Sequence, residues 1–172
     1  NIINNIIPEC SEIYFRTGYF YFSGFSLIAK ALSKKPNIKL KILVGIETDE
    51  KSANLYNEQS RKKNFYEKFT HQVLEKDILD NREEEEAYFI YKKKVSDGTL
   101  EIKQADDTDH AKEYIFKFNE QFAKTTSSKG QVFGGSFNIS KSGLKSNREI
   151  SYLLKEPHDY NSALEDFEKF WN

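Results

Sequence analysis

The segment from Ile13 to Val44 constrains this chain more than any other. It opens with Ile13-Tyr-Phe-Arg-Thr-Gly-Tyr-Phe-Tyr-Phe22, a run dense in the aromatic residues that suit a pleated, half-buried surface. Ser23-Gly24 breaks the run, and Phe25 to Leu32 then sets Leu27, Ile28, Ala31 and Leu32 on one helical face. Pro36-Asn37 reads as a turn, and Ile38 to Val44 as a second strand ending at Gly45. Strand, helix and strand within about thirty residues make a βαβ unit, which requires neighbouring parallel strands. The expected class is therefore α/β.

From Thr48 to Asp97 the texture changes. Phe65, Phe69 and Val73, then Leu74, Ile78 and Leu79, recur at helical spacing among charges. A second helical stretch carries acids at its start (Glu83 to Glu86) and lysines at its end (Ala87 to Lys94), which complements a helix dipole. The acidic run reads as a solvated helix start or as a partner-binding patch. We expect a helical insertion at about 48–97. Strands resume after Asp97-Gly98, at Leu100–Gln104, Tyr114–Phe118, Gln131–Phe137 and Glu149–Leu154, with Lys124–Gly130 as a polar loop. Pro157 to Trp171 closes the chain as a helix, with Leu164, Phe167, Phe170 and Trp171 facing inward. The expectation is a mixed, largely parallel β-sheet flanked by helices, in one domain over residues 1–172.

Composition narrows the class of activity. The 172 residues include 38% hydrophobic and 31% charged side chains, as in a globular chain. No apolar run approaches the ~20 residues of a spanning helix, and the first ten residues lack the pattern of a secretory signal. One cysteine, Cys10, precludes an internal disulfide or a Cys-cluster zinc site and suits a reducing compartment. A cytoplasmic location is the expectation. The formal charge of −1 argues against bulk positive charge as the route to nucleic acid. The sequence contains no methionine, which reads as one piece of a longer protein.

Chemistry concentrates in three places. His71 and His158 sit among ordinary helix residues, whereas His110 stands in Asp109-His110-Ala111-Lys112 at the threshold of a strand. Alternation places His110 and Lys112 on one face, about 7 Å apart. An imidazole beside a fixed ammonium suits a phosphate ester, one group attacking and the other holding the oxygens; a surface strand in a lysine-rich chain has the same pattern. Gly134-Gly135-Ser136-Phe137-Asn138 ends another strand, with Ser136 and Asn138 on one face. It suits close approach of a ligand or a plain strand-to-turn junction. Glu149 opens a strand that otherwise reads as core, where a carboxylate would want a partner such as an imidazole N–H. Asp106, Asp107 and Asp109 read either as solvated turn residues or as an Asp/His site for a divalent metal.

Taken together, His110-Ala111-Lys112, Gly135-Ser136-Phe137-Asn138 and Glu149 resemble the HKD signature of the phospholipase D superfamily. Tyr19 to Phe25 followed by a helix is similar to that family's first strand-helix step. The resemblance covers most of the chain outside 48–97. Lys117 stands where the family often carries an aspartate, and only one His-x-Lys is present. The resemblance implies a metal-independent phosphodiesterase without a cofactor. His110 would form a covalent phosphohistidine, and the second histidine would come from an identical chain across a homodimer interface. Lys112, Asn138 and Ser136 would hold the phosphoryl oxygens, and Glu149 would orient a histidine.

Local charge bears on the substrate. From Ala111 to Arg148 there are seven basic residues (Lys112, Lys117, Lys124, Lys129, Lys141, Lys145, Arg148) against two acidic ones (Glu113, Glu120). A basic rim fits a polyanionic backbone, with Lys141, Lys145 and Arg148 as substrate-binding candidates. Ordinary surface lysines would look the same. The single-motif pattern is also similar to bacterial nucleases and to nuclease-like domains of restriction enzymes and helicases. A DNA nuclease domain is the expectation. The alternatives are a non-catalytic DNA-binding or dimerisation module of a restriction enzyme or helicase, and a phospholipase; no amphipathic segment supports membrane docking.

Overall fold

The computed structural model describes residues 2–45, 82–106, 109–136 and 151–172. A short helix α1 (Ile2–Ile6) and a 3₁₀ turn (Ile7–Glu9) lead into strand β1 (Cys10–Thr17). The aromatic run does not stay extended to Phe22. β1 ends at Thr17, and helix α2 (Phe22–Ser33) starts directly after Tyr21, so Ser23-Gly24 lies in its first turn. Burial decides this boundary: Phe22, Phe25, Ile28, Ala29 and Leu32 form one covered stripe at helical spacing. Each large ring so buried contributes about 2 kcal/mol of apolar transfer free energy.

β2 (Lys39–Val44) pairs parallel to β1, completing the expected βαβ unit. Of the helical stretch expected at 48–97, the described part is α3 (Arg82–Ser96), with acids in its first turn and lysines in its last. It belongs to the core. The Tyr91 ring meets Phe25 edge-on at 5.7 Å and Phe22 at 6.4 Å, which packs α3 against α2. It also precedes β3 (Leu100–Gln104), which pairs parallel to β2, so α3 lies on a second crossover. The positions Phe65 to Leu79, and His71 among them, lie outside the described residues.

β4 (Glu113–Phe118), helix α4 (Glu120–Thr126), β5 (Gly130–Gly135), β6 (Ser151–Leu154) and helix α5 (Pro157–Trp171) complete the described elements. The sheet order is β3-β2-β1-β4-β5-β6. The mixed α/β class holds, but the balance of pairing differs from the largely parallel sheet expected. β3, β2 and β1 are parallel, whereas the β1–β4, β4–β5 and β5–β6 pairs are antiparallel. β4 starts at the end of the sheet where β1 finishes and so runs against it, and β5 and β6 each reverse direction in turn. α4 replaces part of the loop expected at Lys124–Gly130. The Asn119 side chain caps it by accepting from the Phe122 N–H at 2.9 Å.

One face of the sheet is covered by α2 and α3 over Phe15, Tyr114 and Phe116. The other is covered by α5 over Tyr14, Leu43, Ile115 and Val132, with Phe167 and Trp171 packed there as expected. Phe170 is the exception, 55% exposed. Its ring instead covers the Arg16 guanidinium at 4.0 Å.

Candidate active site

The C-terminal ends of β1, β2, β3 and β5 and the starts of β4 and β6 share one end of the sheet, called here the near end. Ligand sites of open α/β sheets favour such an end, where loops leave the strands. The sheet order also forces a local feature. β3 and β4 are consecutive among the described strands but lie on opposite sides of β2 and β1, so their connection must cross the near end. Gly45, just beyond β2, permits the crossing. A Cβ there would collide with the Asp109 carbonyl.

The crossing segment is anchored immediately before His110. Asp109 Oδ2 accepts from Arg16 Nε at 2.5 Å, and Asp109 Oδ1 accepts from the Ala111 N–H at 2.9 Å. The Arg16 and Asp109 side chains are only 16% and 14% exposed, and Phe170 caps the guanidinium. Both carboxylate oxygens of Asp109 are therefore committed to holding the loop. Asp107 lies outside the described residues, and no cluster of metal-ligating side chains forms among the described ones. Arg16 also faces Glu113 across the β1–β4 pair. Burial raises the Glu113 carboxyl above its ordinary value, against the pull of Arg16.

His110 itself is exposed at the near end. Lys112 Nζ donates to the His110 carbonyl at 3.0 Å, which ties the lysine to the same loop. The Gly135 N–H donates to the Lys112 carbonyl at 3.3 Å, so the end of β5 and the exposed Ser136 lie beside this segment. β6 begins opposite Gly135, at Ser151. The structure thus brings His110, Lys112 and Ser136 to one place. Asn138, Glu149, Lys141, Lys145 and Arg148 lie outside the described residues.

The basic rim read from the sequence divides. Lys117 is the second-to-last residue of β4, pairing with Glu12 at 2.6 Å, and Lys124 and Lys129 follow beyond it. These three occupy the far end of the sheet, because β4 runs away from His110. A charge count along the chain cannot see that reversal. Sequence reasoning also passed over Arg16, which carries no motif. Its only sequence signal is a charge inside an aromatic strand. His158 is exposed at the start of α5, away from this constellation.

In fold the chain is similar to NucT from Helicobacter pylori, with a TM-score of 0.54 and 16% identity over 99% of this chain and 86% of that one. It is similar to Nuc from Salmonella typhimurium, a phospholipase D family member, with a TM-score of 0.51 and 17% identity over 99% and 85% of the two chains. Polyphosphate kinase from Porphyromonas gingivalis gives a TM-score of 0.53 and 10% identity, over 98% of this chain and 23% of the kinase. No family model matches the sequence, and no curated protein matches it.

Proposed function

We propose, from the phospholipase D superfamily fold that this chain has, that it is a metal-independent phosphodiesterase acting on DNA. The observation that carries the reading is the meeting of His110, Lys112 and Ser136 at the near end of the sheet. In the first step, an imidazole nitrogen of His110 attacks phosphorus. The P–N bond forms as the bond to the leaving oxygen breaks, and a second, protonated histidine gives that oxygen its proton. In the second step the same histidine takes a proton from water. The hydroxide then attacks phosphorus, and the P–N bond breaks. Lys112, Ser136 and Asn138 hold the phosphoryl oxygens as charge builds up, and Glu149 stabilises an imidazolium.

The chain supplies one His-x-Lys, so the second histidine is His110 of a second copy, across an isologous contact. Lys141, Lys145 and Arg148 are proposed to contact the DNA backbone. A fused or associated helicase or restriction module and a cytoplasmic location belong to the same reading. The test is hydrolysis of DNA in EDTA by the wild-type chain and by His110→Ala. Chelation-resistant cleavage that falls by about a thousandfold or more in the variant is the expected result. A folded, dimeric chain that binds DNA without cutting it would replace the hydrolase with a binding module. Cleavage of phospholipid instead of DNA would make it a lipase.

A further inference from the structure

The near end carries two aromatic flanks that the proposed chemistry leaves unused. On the β1 side, Tyr19 and Tyr21 are 40% and 41% exposed. Their rings stack with centroids 6.1 Å apart and planes within 19° of parallel. The turn that bears them is fixed to the site. Thr17, 1% exposed, donates its hydroxyl to the Tyr19 carbonyl at 2.9 Å. The Thr17 carbonyl accepts from the Gly45 N–H at 3.0 Å, and Gly45 abuts Asp109 beside His110. Tyr21 is held as the N-cap residue of α2.

On the β6 side, Tyr152 is 55% exposed and stands opposite Gly134. Its ring lies over that glycine, where a Cβ would strike it. The order β1-β4-β5-β6 therefore sets the tyrosine pair, His110 with Lys112, Ser136, and Tyr152 side by side. Three strand spacings span about 14 Å, a distance that a few nucleotides cover. Flat exposed rings beside a phosphodiester site suit bases, because every base has a face to stack. A duplex buries its base faces within its own stack, whereas a single strand offers them.

We infer that Tyr19 and Tyr21, with Tyr152 opposite, form a stacking platform that selects single-stranded nucleic acid at the His110 site. This rests on the phosphodiesterase reading for its setting, but not for its test. The experiment measures equilibrium binding in the His110→Ala background, so that cleavage does not interfere. The probes are a fluorescein-labelled single-stranded oligonucleotide and the same sequence closed into a hairpin duplex.

The double variant Tyr19→Ala/Tyr21→Ala should lose about tenfold or more in single-strand affinity and leave duplex affinity unchanged. Tyr19→Phe/Tyr21→Phe should bind as the parent does, because stacking needs the ring and not the hydroxyl. Both rings are exposed, and the Thr17 bond uses only the Tyr19 backbone, so the fold survives either change. Equal losses on both probes, no loss on either, or failure of the phenylalanine pair to restore binding would overturn the platform. Tyrosine-dependent binding in a chain whose wild type cleaves no diester would keep the platform and discard the hydrolase. Cleavage by the wild type with tyrosine-independent binding would do the reverse.

Discussion

At the far end of the sheet, Lys94 is 3% exposed and gives its ammonium to the carbonyls of Pro36 and Ile38, at 3.0 and 2.8 Å, and to the Thr99 hydroxyl at 3.3 Å. At the near end, Arg16 gives its guanidinium to Asp109, whose other oxygen holds the Ala111 amide. Both are cations committed to polar partners in sparsely hydrated surroundings. The Lys94 contacts join the α2–β2 connection to the start of β3 and lead nowhere else. The Arg16 contacts end one residue from an exposed histidine. The contacts themselves are alike, and the difference lies in what the held segment carries.

The largest effect that would test this contrast is expected at Lys94. Lys94→Ala removes the hydrogen bonds of two carbonyls and the packing of a buried stem, at a cost of about 3 kcal/mol in urea unfolding. If the proposed diester cleavage is observed, its rate per folded molecule should not change. Burial pushes the Lys94 ammonium down from its ordinary 10.5 to about 8, against the pull of Asp97. Between those values the unfolded chain binds more protons than the folded one, so the lysine's contribution to stability rises with pH. Burial also raises the acids Cys10 and Tyr160, each to about 12, which acts in the opposite sense above their ordinary values. The informative quantity is therefore the difference between wild type and Lys94→Met. A difference that fails to grow as pH rises from 8 to 10.5 would remove the far-end half of the comparison.

Arg16→Ala should fall second. Freed from the guanidinium, Asp109 no longer fixes the approach to His110, and misplacement of a reacting group is costly. A drop of about tenfold or more in kcat, with KM little changed, is expected on any DNA the wild type cleaves. Arg16→Lys should restore only part of it, because an ammonium lacks the planar contact with both Asp109 and Phe170. A loss confined to thermal stability, with kcat intact, would make the Arg16–Asp109 pair another Lys94.

The sequence announced those features that repeat locally. The βαβ unit was legible because Ile28, Ala31 and Leu32 carry a helical period between two apolar runs. His110, Lys112 and Ser136 were legible because their spacing is a pattern along the chain. What escaped depends on contacts between distant residues. The early end of β1 follows from the burial of Phe22 and Phe25 against α3, which lies some sixty positions away in the sequence. Arg16 finds Asp109 only because β1 lies beside β4, and Phe170 finds Arg16 because α5 returns across that face. The basic rim failed for the same reason: an antiparallel strand carries Lys117 away from His110 although only three residues separate it from Glu113.

The smallest effect sharpens the contrast from within the far end. Glu12 accepts from Lys117 at 2.6 Å and from the Tyr14 hydroxyl at 2.8 Å. Burial alone would raise the carboxyl, but these two hydrogen bonds and the charges of Lys117 and Lys39 together outweigh it and hold the group below its ordinary value. The sign follows: the folded carboxylate gives up its proton more readily than the unfolded one. Its stabilisation is thus present above the ordinary range and lost as pH falls through the lowered value. The Glu12 and Lys117 side chains are 27% and 40% exposed, so water screens the pair. Glu12→Gln should cost less than about 1 kcal/mol at neutral pH, nothing in acid, and less in high salt. The amide still accepts from Tyr14, and cleavage should be unaffected. Should it instead cost as much as Lys94→Ala, exposure would not be what separates strong from weak cations at this end.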